Sequence, residues 1–274
     1  MEALTELLAY PFMRHALYAA LLASLACGIV GTLVVFNRMV FLAGGASHAA
    51  YGGIGLSLYF GLPMLPCTLA FTLAASLLMA MVSARQPHSE LGQETSIGVL
   101  WAAGMAFGII LVELSPGYAG ELMGFLFGSI LAVPQSDLAL MTGFNVLLLA
   151  FVYLFRHGLW AISIDSEFAR ARGIAVGALH LALVAASAVT IVMLIRIVGL
   201  ILVLALLTIP PSIARRFCRG LYSTMMLAVG LCLLFCLCGL TFSWFTNISS
   251  GASIIMVATL CYFLSLGRSP KLRR

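Results

Sequence analysis

One histidine lies inside an apolar stretch, where ionisable side chains are rare. His48 stands in the run F-L-A-G-G-A-S-H-A-A-Y-G-G, about one turn into a hydrophobic segment. An imidazole in lipid is costly, and neutral imidazole binds zinc and similar divalent metals, so His48 is a candidate contact for a transported ion. The residue is also compatible with a core histidine bonded to a neighbouring carbonyl, and periodicity alone leaves both alternatives open.

Other residues with metal-binding side chains are scattered through the chain. Glu113, Glu121 and Asp137 fall near one predicted membrane face, where acids can gather cations. Cys232 and Cys236 share a helix face, but no histidine or carboxylate accompanies them. A buried thiol without such partners behaves as a small hydrophobe. We therefore interpret these cysteines as core packing.

A strongly polar segment separates two long hydrophobic stretches in the second half of the chain. Its sequence is D-S-E-F-A-R-A-R-G, from Asp165 to Gly173. Two acids, two arginines and a terminal glycine predict a short helix that stays in water beside membrane-embedded neighbours. Such a segment is either an ordinary solvated loop or a surface that a soluble partner binds. Composition alone does not distinguish the two.

The elements that position these residues follow from the composition. Of the 274 residues, 63% are hydrophobic and 8% are charged, and the mean hydropathy is +1.14. No soluble fold can bury this much apolar surface, and apolar runs longer than about 18 residues recur along the chain. The sequence therefore predicts an all-α polytopic membrane helical bundle within the lipid bilayer. The formal charge of +5 comes from arginines beside apolar runs, which is typical of topology signals and not of nucleic-acid binding.

Hydropathy predicts about 8–9 transmembrane helices in a single transmembrane domain, residues 1–274. The nine predicted spans are residues 16–36, 44–60, 63–83, 96–114, 137–155, 178–195, 197–213, 221–240 and 251–266. Residues 119–133 are too short for a comfortable span and contain Glu121, so we expect a re-entrant or interfacial helix there. Pro210 and Pro211 are expected to interrupt the seventh span, which frees carbonyls that must be buried in protein or line a cavity.

The basic residues predict the orientation of the spans. With the amino terminus outside, nearly all of them face the cytoplasm, as the positive-inside rule requires. The cytoplasmic set is Arg38, Arg85, Arg156, Arg170, Arg172, Arg215, Arg216, Arg219, Arg268, Lys271, Arg273 and Arg274. Only Arg14 and Arg196 lie opposite. If residues 119–133 cross the membrane fully, Arg38 and Arg85 move outside, and the rule is obeyed slightly less well.

Four stretches, in their order and spacing, resemble a known family. They are N-R-M-V-F-L-A-G-G-A-S-H-A from Asn37, E-L-M-G-F-L-F-G-S-I-L-A-V from Glu121, D-S-E-F-A-R-A-R-G-I from Asp165, and V-G-L-I-L-V-L-A-L-L-T-I-P-P-S-I-A from Val198. Over nearly all its length the chain resembles the permease subunit of the bacterial ABC importers for zinc, manganese and ferrous iron. The ATPase pattern G-x-x-x-x-G-K-[ST] does not occur in the sequence, as expected of a permease whose ATPase is a separate chain.

The resemblance implies a fold related to the type II ABC importer permeases and a location in the bacterial inner membrane as a multi-pass protein. It implies that this chain is not an enzyme and carries no cofactor, the divalent metal being its substrate. The implied partners are a second permease copy, a cytoplasmic ABC ATPase subunit and an extracytoplasmic metal-binding protein. Residues 165–173 match the coupling helix, which in this family sits in a groove of the ATPase.

Roles for individual residues are also implied by the resemblance. His48 would be a transient metal contact on the pathway, with Ser47, Gly44 and Pro210 as residues that pack along it. The residues implied to couple to the ATPase are Asp165, Glu167, Phe168, Ala169, Arg170 and Gly173. A short charged helix joined to two spans can transmit closure of the ATPase as rigid-body rocking of the bundle.

One position departs from the family pattern. Similar members have an aspartate four residues before the histidine, so that carboxylate and imidazole share a helix face, whereas this chain has Gly44. His48 can still bind a borderline metal such as zinc, but a site that favours manganese would lose an oxygen ligand. The preferred ion is therefore open, as is the question of whether the pathway binds the ion or lets it pass.

Two other classes of transporter remain as alternatives. An ABC permease for a metal chelate, such as a siderophore or cobalamin, resembles this architecture with one additional amino-terminal span. An ion-coupled secondary transporter needs acids near the membrane midplane, and of the acids only Glu113 lies even partly inside a well-defined span. The short chain and the Ser47 and His48 pair favour the bare ion.

Overall fold

The computed structural model describes residues 11–85, 90–115, 128, 130 and 133–267, and within them the regular structure is helical, without a β-strand. The helices, numbered in chain order, are α1 (Pro11–Phe36), α2 (Val40–Phe60), α3 (Met64–Ala84), α4 (Glu90–Glu113), α5 (Gln135–Leu154), α6 (Arg156–Ile164), α7 (Ser166–Ala171), α8 (Val176–Val198), α9 (Leu200–Phe217), α10 (Leu221–Thr246) and α11 (Ser250–Gly267). The predicted all-α bundle is confirmed.

Each of the nine predicted spans coincides with one long helix. Among the described residues, eight helices are long and apolar enough to cross a bilayer. The remaining predicted span, residues 44–60, corresponds to α2, whose 21 residues include five glycines and His48. At 1.5 Å per residue α2 is about 31 Å long, which matches the hydrocarbon thickness. Most of its residues are buried by other helices, so its low hydropathy fits a helix that is surrounded by protein and not by lipid.

Helix α1 lies at the centre of the bundle. Of its most apolar 18 residues, 83% are buried, the largest share among the candidate spans of the described chain. The helix packs against α5, α8, α9 and α10. Helices α3 and α4 pack on α2. Close approaches of Gly45 to Met79 and of Gly53 to Thr68 show that α3 runs antiparallel to α2. Gly104 and Gly108 approach Ala49 and Tyr51 in the same order, so α4 runs parallel to α2.

The prolines of α9 do not interrupt the helix, contrary to our expectation. Helix α9 is continuous, and Pro210 and Pro211 are both buried in it. The carbonyl of Leu206, which loses its usual donor because Pro210 has no N–H, accepts a hydrogen bond from the Cys232 thiol of α10 at 3.6 Å. The second freed carbonyl faces Gly31 of α1. The freed carbonyls are therefore buried in protein. Of the two expected arrangements, burial in protein or exposure to a cavity, the structure has the first.

Basic residues gather at one end of the bundle. Arg38 borders one cavity together with Asp165 and another together with Ser83. The Arg215 guanidinium lies 5.1 Å from the ring centroid of Phe36, at the end of α1 that leads to Arg38. The loop after α1, the loop after α3 and the polar segment 165–173 thus share one end.

The chain between α4 and α5 starts and finishes at the opposite end. Helix α4 runs parallel to α2 and so ends away from Arg38, and α5 begins there too, because Gln135 contacts His15 of α1 at 3.3 Å. The re-entrant or interfacial helix expected at residues 119–133 stays a prediction. Most of that segment, including Glu121, lies outside the described residues, as do residues 1–10 and 268–274 with their basic side chains.

The grouping of helix ends generates a topology prediction. A reporter inserted after Arg219 is expected to be cytoplasmic, and one inserted after Asn247 external, because α10 separates the two positions and arginines cluster at the first. Reporter activity or labelling by a membrane-impermeant reagent measures this. An external Arg219 would contradict the orientation and the cytoplasmic placement of residues 165–173.

Candidate functional site

His48 lies near the middle of α2 and is half-buried. Its ring stacks on that of Trp101 from α4, with the ring centroids 4.6 Å apart and the planes inclined by 20°. Its Nδ1 atom is buried and has no hydrogen-bond partner among the described residues. His48 is therefore not a core histidine bonded to a carbonyl through Nδ1, and this nitrogen has no partner among the described residues.

The two neighbours predicted to pack along the pathway differ in their surroundings. Ser47 is fully buried and its hydroxyl donates to the Ala43 carbonyl at 2.9 Å, so its polar atom is satisfied within the helix. At Gly44 a Cβ atom would lie 3.7 Å from Leu204 Cδ1 on α9, which is an ordinary contact. A Cβ atom therefore fits at position 44 without displacing the backbone.

The described part of one chain does not assemble a complete metal site. Among the described residues no three His, Cys, Asp or Glu side chains lie close enough together to hold a metal ion. Zinc in a stable protein site takes about four ligands, or three with an open position. His48 alone suits a brief contact with a passing ion and not tight storage of that ion.

Asp137 is engaged in an ion pair, so the idea that it gathers cations is wrong. Its Oδ1 accepts a hydrogen bond from the Arg196 guanidinium at 2.9 Å, and the carboxylate side chain is 9% exposed. The pair joins the first turn of α5 to the last turn of α8. Glu113 is exposed at the end of α4, and Glu121 lies outside the described residues.

The cysteines behave as packing residues, as predicted. All seven are free thiols, and Cys27, Cys232 and Cys236 are buried. Cys232 donates to the carbonyl that Pro210 leaves unpaired, and Ser24 contacts Cys236 at 4.0 Å. These contacts tie α10 to α9 and α1 without any accompanying ligand group.

The polar segment forms the short capped helix that its sequence predicts. Asp165 has extended backbone angles, and its carboxylate accepts from the backbone N–H groups of Glu167 at 3.0 Å and Phe168 at 2.9 Å. Such an N-cap satisfies the free donors of the first turn. At the other end Gly173 adopts a φ of +80°, and its N–H donates to the Arg170 carbonyl at 3.0 Å. Glycine is favoured in this left-handed position because it has no Cβ.

Most of α7 is presented to solvent, with one exception. Glu167, Phe168 and Arg170 are exposed, and the Arg172 guanidinium lies 5.0 Å from the centroid of the Phe168 ring. Ala169 is fully buried. The prediction that Ala169 contacts the ATPase at the surface of the helix is therefore wrong. A helix of six residues that packs on a bundle must turn one side inward.

One connection to this segment has no signal in the sequence. The Asn37 amide donates to the Ser163 hydroxyl at 3.0 Å and to the Leu33 carbonyl at 2.8 Å. Ser163 is in the last turn of α6, just before Asp165, and Asn37 is in the turn between α1 and α2. The helix that leads into the polar segment, α6, is thus bonded to the turn from which the His48 helix starts.

Two cavities flank this connection at the same end of the bundle. Their volumes are about 560 and 580 Å³, and both are bordered by Asn37, Arg38 and His180. The first also reaches Asp165 and the second reaches Glu94. Charged and polar groups therefore line the cavities at this end of the bundle, beside α7.

The family profile described as ABC 3 transport family matches residues 9–269. An uncharacterized membrane protein of Synechocystis sp. is 46% identical over 97% of this chain and 93% of its own length. The manganese transport system membrane protein MntC of Listeria innocua is 30% identical over 98% of this chain and 94% of its own.

A solved structure, described as PsaBC from Streptococcus pneumoniae in complex with Fab, contains a similar chain. Its TM-score is 0.87 at 27% identity, covering 99% of this chain and 97% of that chain. The family match runs from α1 to α11, so it is not limited to a few generic hydrophobic helices. The chain is a multi-pass membrane protein, and it belongs to the ABC 3 transport family.

Proposed function

We propose that this chain is the permease subunit of an ATP-driven importer of divalent transition-metal ions. The observation that carries the proposal is the family match over residues 9–269, in which a relative aligned over almost its full length is a manganese transport membrane protein. His48 supports it, because a half-buried imidazole whose Nδ1 has no partner is suited to contact a divalent ion in transit. Two copies of the chain enclose the pathway, and an extracytoplasmic metal-binding protein delivers the ion.

The proposed coupling element is α7 with its two caps. The exposed side chains of Glu167, Phe168 and Arg170 form the surface that contacts a separate ABC ATPase. Asp165 and Gly173 hold the helix in shape through the capping bonds, and Ala169 anchors it on the bundle. The ATPase hydrolyses ATP, and this chain converts its closure into movement of helices.

The bond between Ser163 and Asn37 gives that movement a route into the membrane. A displacement of α7 acts on the end of α6, and the hydrogen bond joins α6 to the turn before α2. Since α2 is a packed rigid helix, its displacement moves His48 relative to Trp101 on α4. Rigid-body rocking of this kind alternately opens the pathway to the two sides of the membrane.

Selectivity in the proposed pathway follows from Gly44. Without a carboxylate at that position, His48 offers one borderline nitrogen ligand, which suits zinc better than the harder manganese ion. Zinc is therefore the ion that the pathway contacts best, and discrimination among the other ions falls mainly to the binding-protein partner.

The coupling role predicts the effect of reversing a surface charge. Glu167→Arg is expected to leave the permease folded, because the side chain is exposed, while lowering ATPase co-purification and transport by about tenfold. Glu113→Arg makes the same charge change at the opposite end of the bundle and is the matched control for ATPase binding. Normal ATPase binding by Glu167→Arg would count against α7 as the docking surface.

The proposed function is tested directly by metal-dependent ATPase stimulation and uptake in vesicles that contain the permease, its ATPase and its binding protein. The wild-type complex is expected to respond to zinc, manganese or ferrous ions. His48→Ala should reduce the response by about tenfold at normal expression, because loss of a ligand weakens an ion site by at least that factor. A wild-type complex that moves none of the three ions would refute the function, and a poorly expressed His48→Ala protein would indicate a packing role.

Position 44 provides a prediction about ion preference. Gly44→Asp should place an oxygen ligand on the same helix face as His48 and shift preference toward manganese relative to zinc. A Cβ atom at this position makes only an ordinary contact with Leu204, so the backbone can stay in place. Gly44→Asn is the matched control, with nearly the same shape and no charge. Equal ratios of manganese to zinc uptake in wild type and Gly44→Asp would contradict a metal contact at His48.

A further inference from the structure

Buried polar atoms without a partner are rare in native proteins, and the desolvation of each one is uncompensated unless water or an ion binds it. In the described part of the chain four side-chain atoms of this kind occur, on His48, Tyr51, Thr72 and Asn145. Asn145 is already bonded through its amide nitrogen to two carbonyls. The other three lie on α2 and α3, the hairpin that carries His48.

Tyr51 stands on the same stripe of α2 as the proposed metal contact. It follows His48 by three residues and Gly44 by seven, spacings that place side chains on one helix face. The residue is 2% exposed, and its hydroxyl has no hydrogen-bond partner among the described residues. A phenol hydroxyl is normally bonded when it is buried.

Thr72 lies at the level of Tyr51 on the neighbouring helix. Gly52 packs on Phe71 and Gly53 packs on Thr68, which fixes the register of the antiparallel pair. Thr72 is fully buried. Its hydroxyl is unusual, because Thr68 and Ser76 on the same helix each donate to the carbonyl four residues earlier whereas Thr72 does not. The unpartnered hydroxyls of Tyr51 on α2 and Thr72 on α3 therefore belong to residues at the same height along the helix pair, about one helical turn from His48.

We propose that Tyr51 is a specificity-determining residue of the pathway, whose hydroxyl oxygen accepts a hydrogen bond from water on a divalent ion that His48 Nδ1 contacts. This inference rests on the proposed function. Tyr51 supplies a neutral oxygen on the helix face where position 44 has no carboxylate. An imidazole and a neutral hydroxyl leave the ion most of its hydration shell, and the interaction is weak enough for the ion to leave again.

Tyr51→Phe isolates the hydroxyl, because the ring and its packing remain. Without metal the variant is expected to unfold at the same temperature as wild type or higher, since a buried unpartnered hydroxyl has been removed. In vesicles with the ATPase and binding protein, Zn²⁺ uptake should fall by about fivefold, the effect of losing about one hydrogen bond. Mn²⁺ uptake should fall further, because the harder ion depends more on oxygen ligands. Tyr59→Phe, at an exposed tyrosine of the same helix, is the matched control.

The outcomes separate this inference from the function on which it rests. If wild type transports metal and Tyr51→Phe retains its rate and its ratio of Zn²⁺ to Mn²⁺, the inference is overturned and the function stands. A lower yield with an unchanged rate per folded molecule also overturns it, because Tyr51 is then a packing residue. If the double variant His48→Ala with Tyr51→Phe loses less than the product of the single effects, the two residues act on one ion and the inference is supported. Failure of wild type to move any ion refutes the function itself.

Discussion

The hydrocarbon core of a bilayer contains no hydrogen-bonding partner, so every polar group of a spanning helix must find one inside the protein. Most hydroxyls of this chain do so within their own helix. Buried examples that donate to the carbonyl four residues earlier include Thr32, Ser47, Ser76, Ser187 and Thr190. Against this background the unpartnered atoms of His48, Tyr51 and Thr72 stand out. They lie on α2, the one long helix of the described chain whose hydropathy is below that of the eight candidate spans, and on α3 beside it.

The same constraint explains how the bundle is packed. Lipid gives helices little hydrophobic reason to associate, so contact depends on close approach and on satisfied backbone groups. Gly28 and Gly31 bring α1 against α10 and α9, where a larger residue would strike backbone atoms. The prolines of α9 are tolerated because neighbouring helices cover the carbonyls that they leave, through the Cys232 thiol and beside Gly31. A rigid interior results, in which displacement of one helix is passed to the next.

Rigidity matters for the two ends of the molecule. At one end Asp137 and Arg196 bind α5 to α8 through an ion pair. At the other end the Asn37 amide connects the capped helix α7, by way of Ser163, to the turn before α2. Helix α7, which is proposed to meet the ATPase, is therefore connected through α6 and the turn at Asn37 to α2, which is proposed to contact the ion. His48 is positioned by a stack on Trp101, which a shift of α2 relative to α4 would alter.

The sequence by itself determined the helical membrane class, the positions of nine spans and the caps of α7. Length of apolar runs, an aspartate N-cap and a glycine in the left-handed region act over a few residues, so they can be predicted locally. Only the tertiary structure decided the partners. Asn37 meets Ser163 across 126 positions, Asp137 is neutralised by Arg196, and the proline carbonyls of α9 are covered instead of lining a cavity. The inward turn of Ala169 was missed for the same reason: which side of a helix is buried depends on how its neighbours cross, and local spacing does not encode that crossing.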